Sequence, residues 1–399
     1  MIRILTLSSD TDGVGYHRTL MPHLCLRDPE IRIENRLLFD TTIPLNNEEW
    51  MKQFNILFYN KVIPFQTEQQ EDAFFNMLRK NNIKVVYDLD DYFILNSSHI
   101  NYRNWKSNNS QAKVEKLMRG ADMVTTTTPI FADIIKEYNP NVTVLPNAVN
   151  LNEQQWIHKT PKSDKLRFIW GGGISHRVDL NIIKDSFKKF DKDFINTCQF
   201  YMCGYDLRVR MGDGATLKDD PNRSAWTFFE DIFTNSDRYV KNPKYLQFLR
   251  TYDKADFGYR EEFKDEYYQR RWTKCIVEYG TMYNEADVAI APLKNNHMFN
   301  YCKSQLKVVE AGAHGLPLIC SNYGPYTIDD IEGKKDGKRK GFLVDESKGD
   351  WSEKMMWYSK NRDAVKEHGQ NMREYVEKNY SIEVVSKQRA ELYKKLANS

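Results

Sequence analysis

No apolar stretch in the chain approaches the roughly eighteen residues that a membrane-spanning helix needs, so no transmembrane segment is expected. Cysteine is sparse and unpatterned: Cys25, Cys198, Cys203, Cys275, Cys302 and Cys320 form no C-x-x-C pair and no dense framework. That excludes a disulfide scaffold and points to free thiols in a reducing compartment. The opening residues MIRILTLSSD hold only a short apolar run that ends in polar residues, so no secretory leader is expected and the protein is read as cytoplasmic. An excess of one charge is missing too. The net charge of +3 permits a phosphate-bearing ligand without announcing nucleic acid. The loop DGVGYHR offers Gly13 and Gly15 but no third glycine, so it does not complete a dinucleotide fingerprint.

What is present is length and rhythm. At 399 residues the chain exceeds what one hydrophobic core usually serves, and two domains are expected. Apolar runs at 2–7, 31–39, 56–59 and 84–87 read as strands, with a helix over 66–80, and strands alternating with helices imply a parallel sheet. The rhythm continues with helices over 111–120 and 130–138 and a last strand near 142–146, then turns polar between 152 and 165, where a domain boundary is placed. It restarts with a strand at 166–170, a glycine loop, a helix over 174–187 and a strand at 200–204. A stretch at 206–271, crowded with Trp226, Phe228, Phe229, Phe233, Tyr245 and Phe248, breaks the rhythm and reads as a self-packed helical insertion, with base or sugar stacking as the alternative. Amphipathic helices close the chain. The lysines of the last one could touch a membrane surface or nucleic acid, but Glu383 and Glu391 interrupt them, so a solvated face is expected.

Four places carry candidate chemistry. The loop with Gly13 and Gly15 precedes a helix bearing Tyr16, His17 and Arg18, and reads either as a ligand-approach loop or as a plain turn. YDLDDYF sets Asp88, Asp90 and Asp91 at a strand's carboxyl end, where ligands bind in open parallel sheets. Those carboxylates could hold a divalent cation, accept a proton from a hydroxyl, or simply cap the next helix. Gly171, Gly172 and Gly173 lie between a strand and a helix whose first turn would offer His176 and Arg177, a pattern that allows an anion to approach closely. Finally, in NYCKSQLKVVEAGAHGLP, Ser304 is placed to cap a helix on which Lys303, Lys307 and Glu310 share one face at i, i+4 and i+7, and Gly315 stops it. A nucleotide diphosphate suits two lysines and unpaired amides beside a carboxylate; an ordinary solvated face is the plainer reading.

DGVGYHR, YDLDD, GGGISHRVDL, ADVAIAPL, KSQLKVVEAGAHGLPLICSNYGP, GFLV with a Trp-bearing helix after it, and EKNYS together resemble the GT-B glycosyltransferases, in particular the retaining, nucleotide-sugar-dependent group around family 4. The resemblance spans nearly the whole chain except 205–271. It implies an α/β fold of two Rossmann-like domains facing across a cleft: 1–158 on the acceptor side, 159–379 on the nucleotide-sugar side with an insertion at about 206–271, and a C-terminal helix over 380–399 crossing back to the first. It implies transfer of a sugar from a UDP- or GDP-type donor to a hydroxyl, with retention and with no required cofactor or metal. On the donor side stand Gly13, Gly15, Gly172, Gly173, His176, Ser304, Gln305, Leu306, Lys307 and Glu310, the last on the ribose. Arg177 and Lys303 would neutralise the diphosphate and Asp90 would assist the acceptor, with Tyr16, His17, Arg18, Asp88 and Asp91 around it. The acceptor would be a glycan or polysaccharide precursor, or a hydroxymethylated pyrimidine in DNA, as for some phage-encoded relatives acting in the host cytoplasm. Peripheral membrane contact fits the first class, and oligomeric state stays open. The family's first glutamate, eight positions before Glu310, is here Cys302, which also motivates a nucleotide-sugar-binding or scaffold protein as the alternative.

Overall fold

The computed structural model describes residues 1–97, 99, 101–157, 163–173, 176, 178–211, 216–295, 297–346 and 351–399. The boundary expected at 158/159 lies outside them. Strands β1 (Ile2–Ser8), β2 (Ile31–Leu37), β3 (Ile56–Asn60), β4 (Lys84–Asp88), β5 (Met123–Thr126) and β6 (Val142–Val144) form one six-stranded sheet in the order β2-β1-β3-β4-β5-β6. Strands β7 (Leu166–Gly171), β8 (Cys198–Tyr205), β11 (Tyr268–Trp272), β12 (Val288–Ala291), β13 (Leu318–Ser321) and β14 (Gly341–Val344) form a second, in the order β11-β8-β7-β12-β13-β14. Between β8 and β11 the short strands β9 (Arg208–Arg210) and β10 (Leu217–Asp219) make a two-stranded antiparallel ribbon. Every pairing within the two large sheets is parallel. The second order is that of a doubly wound dinucleotide-type sheet, and its direction reverses between β7 and β12.

Alternation along the strands builds a core on each face. In β7, Leu166, Phe168 and Trp170 join Phe200 and Met202 of β8 on one side, while Ile169 joins Tyr201 and Cys203 on the other. The aromatic stretch after β8 is not a self-packed insertion. Trp226, Phe229, Phe233, Tyr245 and Phe248 lie in the same core as the sheet strands, and the segment ends in β11, which extends the sheet beside β8. The helices Ala225–Thr234 and Pro243–Thr251 thus serve as a long crossover.

The chain returns to the first sheet at its end. Helix Arg362–Tyr380 packs Met372 and Val376 into the second sheet's core. The backbone then crosses at Ser381, where Val149 N–H donates to the Tyr380 carbonyl (3.0 Å) and Ile382 N–H to the Val149 carbonyl (2.9 Å). Helix Ile382–Ala397 buries Ala390, Tyr393 and Leu396 against Ile4, Ile31 and Phe58. Its apolar face is thus occupied while Lys387 and Lys395 stand on the exposed face, as expected, and the crossing helix implied by the resemblance is present. Among the described residues no helix is long and apolar enough to cross a membrane.

Candidate functional site

The helix Leu306–Ala313 starts at the carboxyl edge of the second sheet, after β12, so it enters at the switch point where open α/β sheets bind ligands. It ends as expected. Gly315, at φ +64°, lets Leu316 N–H reach the Ala311 carbonyl and Gly315 N–H the Gly312 carbonyl, a Schellman turn that needs the left-handed conformation. Its start differs from the expectation. Gln305 occupies the N-cap position without a side-chain cap, and Ser304 instead accepts a hydrogen bond from Asn147 Nδ2 (3.0 Å) across from the first sheet. Lys303 precedes the helix, so only Lys307 and Glu310 share a helical face.

Those two are joined. Lys307 Nζ donates to Glu310 Oε2 (2.7 Å) and to the Tyr279 hydroxyl (3.0 Å), and the Tyr283 hydroxyl donates to the same Glu310 oxygen (2.7 Å). Glu310 and Tyr279 together hold the Lys307 ammonium well above the ordinary lysine range despite its burial. Tyr279 and Tyr283 are not among the residues singled out from the sequence, where nothing local marks them. Gly171 leaves them room: a Cβ there would lie 3.3 Å from the Tyr283 hydroxyl and 3.5 Å from that of Tyr279. Lys303 is different. Among the described residues it forms no ion pair; its Nζ donates to His176 Nε2 (3.4 Å), and it lies over the Phe299 ring. Burial pushes its pKa down, against the pull of Asp91 and Asp179.

The glycine loop after β7 divides its labour. A Cβ on Gly172 would meet the Trp170 ring at 2.7 Å, whereas one on Gly173 would meet nothing within 4 Å among the described residues. Gly172 is therefore needed for packing, a constraint that Gly173 does not share. His176 lies ahead of the helix Leu180–Ile183 rather than in its first turn. Arg177 lies outside the described residues.

From the first sheet, the loop after β1 is tied down by Asp10, which accepts from Gly15 N–H (3.0 Å), Ser9 Oγ (2.7 Å) and Lys61 Nζ (3.1 Å). A Cβ on Gly15 would lie 2.0 Å from the Asp10 carbonyl oxygen, so that glycine serves its own loop; Gly13 has open space around it. A π-helical stretch, Gly15–Leu20, follows and carries Tyr16, His17 and Arg18. Tyr16 donates to Glu153 (2.7 Å). Arg18 forks onto both oxygens of Asp88 at 3.0 and 2.7 Å, and neither residue is more than 1% exposed. Thr125 Oγ1 also donates to Asp88 (2.6 Å). Arg18 and Asp88, expected around an acceptor, are therefore spent on each other, and Asp88 is not open to a cation. Asp90 and Asp91 stand just beyond. Burial pushes the Asp90 carboxyl up, and the Asp91 and Asp88 charges add to this. Among the described residues no group of three or more His, Cys, Asp or Glu side chains has the geometry to hold a metal ion.

His17 is 7% exposed, its Nδ1 has no hydrogen-bond partner among the described residues, and burial pushes its pKa down to about 4 against the pull of Glu310. The charges of Glu310 and Lys307 thus reach it from the second sheet's helix. The unfolded chain binds this proton near the ordinary pKa of about 6.5, so between that value and about 4 the unfolded state holds more protons than the native one. Stability should then fall as pH drops through this window, by about 3 kcal/mol in total. Urea unfolding of the wild type and His17→Gln at pH 7, 6, 5 and 4 checks this: the variant should lose less stability across the range, and parallel curves would exclude a neutral buried His17.

Cys302 is fully buried, and it packs not with the second sheet but in the first sheet's core, the cluster that holds Leu5, Tyr59, Leu89 and Phe93. The position at which the resemblance implies a first glutamate is thus part of the seam between the two halves. The His99 ring, 4.5 Å from that of Phe299, adds to the same seam.

No protein-family model and no curated protein matches the chain. Solved structures do. Anabaena HepE bound to UDP superposes with a TM-score of 0.58 at 11% identity, covering 99% of each chain. An α-glucosyltransferase in complex with UDP-glucose and DNA containing an abasic site gives 0.59 at 12%, covering 98% of this chain and 99% of that one. A UDP-forming α,α-trehalose-phosphate synthase from Burkholderia vietnamiensis gives 0.52 at 9%, covering 99% and 98%. The likeness runs end to end and is one of architecture: the chain has the two-domain GT-B fold.

Proposed function

We propose that the protein is a glycosyltransferase that moves a sugar, with retention, from a nucleoside-diphosphate sugar to an acceptor hydroxyl. The observation that carries this reading is Lys303: a half-buried ammonium at the sheet's switch point whose hydrogen-bond partner is an imidazole and not a carboxylate. Buried charges are normally paired, so this one is a seat for an anion. Lys303 would face the diphosphate, with Gly173 and the first amides of helix Leu306–Ala313 beside it, and Glu310, oriented by Lys307 and Tyr283, would take the ribose. Residues 1–158 would form the acceptor side and 159–379 the donor side. The similar structures hold UDP and UDP-glucose, which supports a UDP-type donor.

In the reaction the acceptor oxygen bonds to the anomeric carbon on the face the phosphate leaves. The carbon–oxygen bond to the phosphate breaks with its electron pair on the phosphate, and the acceptor's proton passes to that phosphate. Charge therefore grows on the leaving group next to Lys303, and preorganised cations and amides act there most strongly. Asp90 would position the acceptor hydroxyl.

A DNA acceptor has one observation in its favour beyond the similar structure that holds DNA. No Asp or Glu occurs from Tyr92 to Val114, and Arg103 and Lys106 stand exposed on the helix Tyr102–Ser107. The test is release of nucleoside diphosphate from a panel of UDP- and GDP-sugars, alone, with glycan acceptors and with hydroxymethylated DNA at two salt concentrations. Release that rises with one acceptor class supports the reading and names the class. Nucleotide-sugar binding with no release under any condition would identify a binding protein on the same fold, and no binding at all would overturn the reading.

A further inference from the structure

Asp179 occupies the N-cap position of helix Leu180–Ile183, yet its side chain makes no cap bond to that helix. An aspartate there ordinarily accepts from the helix's own first amides. Here the fully buried carboxylate is turned across the switch point instead. Oδ1 accepts from Lys294 N–H (2.8 Å) in the loop after β12 and from Asn300 Nδ2 (3.3 Å), and Oδ2 lies 2.9 Å from His176 Nδ1 in the loop after β7. One carboxylate thus ties together the two loops that flank the switch point and the segment leading into Lys303.

The bond to His176 has a chemical consequence. A carboxylate accepts only, so His176 must carry its proton on Nδ1, which leaves Nε2 as a lone pair. That lone pair faces the Lys303 ammonium at 3.4 Å. The geometry points to Asp179 and His176 as positioning residues: Asp179 fixes the imidazole tautomer, and the imidazole in turn holds the Lys303 ammonium toward the donor's phosphates without neutralising it. A carboxylate in the place of His176 would cancel the charge the phosphate needs, whereas a neutral acceptor aims it. This inference rests on the donor-site reading above. It adds Asp179 to the site and gives His176, expected above on the donor side, an indirect role there.

Titration calorimetry with UDP and with uridine separates this role from a structural one. Asp179→Asn keeps shape and volume but presents an amide N–H to Nδ1, forcing the proton to Nε2, where it opposes Lys303. UDP affinity should fall about tenfold, on the scale of one hydrogen bond to a charged group, while uridine affinity and melting temperature stay within error. His176→Leu should show the same split between UDP and uridine, with a lower melting temperature because the buried Asp179 carboxylate loses a partner. His176→Gln, which can donate to Asp179 and accept from Lys303, should stay within about threefold of the wild type. UDP binding unchanged in both Asp179→Asn and His176→Leu would overturn the inference and leave the donor-site reading standing. Equal loss of UDP and uridine affinity would also overturn it, as would failure of His176→Gln to restore binding. If Asp179→Asn does not fold, the His176 pair decides alone. A wild type that binds neither UDP nor GDP would overturn both readings.

Discussion

Replacing Lys303 with alanine should lower turnover by about 10²- to 10³-fold, the scale on which enzymes lose a single preorganised donor to a developing anion. The size follows from where the ammonium sits. It is half-buried, its hydrogen-bond partner is neutral, and the charges that reach it from Asp91, Asp179 and Asp90 act without forming an ion pair. A surface lysine in the same position would be screened by water and salt and would matter far less. The same argument gives the expectation a second, opposite half. An unpaired, partly desolvated cation costs folding free energy, so Lys303→Ala should leave stability unchanged or raise it while turnover collapses. Lys303→Arg should recover only part of the loss, since a planar guanidinium cannot occupy the point between His176 and Phe299 that a compact ammonium fills. Steady-state nucleotide release and urea unfolding on the same three proteins test this together. Full turnover in Lys303→Ala would remove the lysine from the chemistry; lost turnover together with lost stability would mark it as a structural residue.

The periodic parts of this fold were readable in one dimension. The helix Leu306–Ala313, its glycine stop and the strands on either side follow from local patterns, and so does the alternation that implies parallel sheets. Two things were not readable, for one reason. Strand β11 reads YQRRW, which carries no apolar alternation, and it is nonetheless buried because Arg270 pairs with Glu230 (3.0 Å) and Arg271 with Glu285 (2.5 Å). Those partners lie far off in the sequence, and nothing at positions 268–272 announces them. Likewise the charges near YDLDD and DGVGYHR read as available for ligands when taken singly. The fold closes Arg18 on Asp88 and leaves Asp90 and Asp91 beyond them. The site was thus legible to the extent that its residues act locally, as Lys307 and Glu310 do. It was illegible where a partner from the other half decides whether a charge is spent or free.

The spent pair sets the second large effect. Arg18→Met should destabilise the protein by about 3–5 kcal/mol, because Asp88 would remain fully buried with one hydroxyl, that of Thr125, in place of a forked guanidinium. More than the ion pair is involved. Arg18 Nη1 also donates to the Leu145 carbonyl (2.6 Å) and to Asn147 Oδ1 (3.1 Å), and the amide of Asn147 is what reaches Ser304 just ahead of helix Leu306–Ala313. The guanidinium therefore orients the asparagine that joins the two halves. Removing the whole pair should cost less than breaking it, since no charge is then stranded: Arg18→Met/Asp88→Leu is expected to be more stable than Arg18→Met alone. Turnover should separate from stability in this series. The double variant regains folding free energy but still lacks the donor to Asn147, so its KM for the nucleotide sugar should remain raised. A double variant with wild-type KM would show that Asn147 holds Ser304 without help from Arg18, and a single Arg18→Met variant within 1 kcal/mol of wild type would show that the buried pair contributes to neither folding nor the seam.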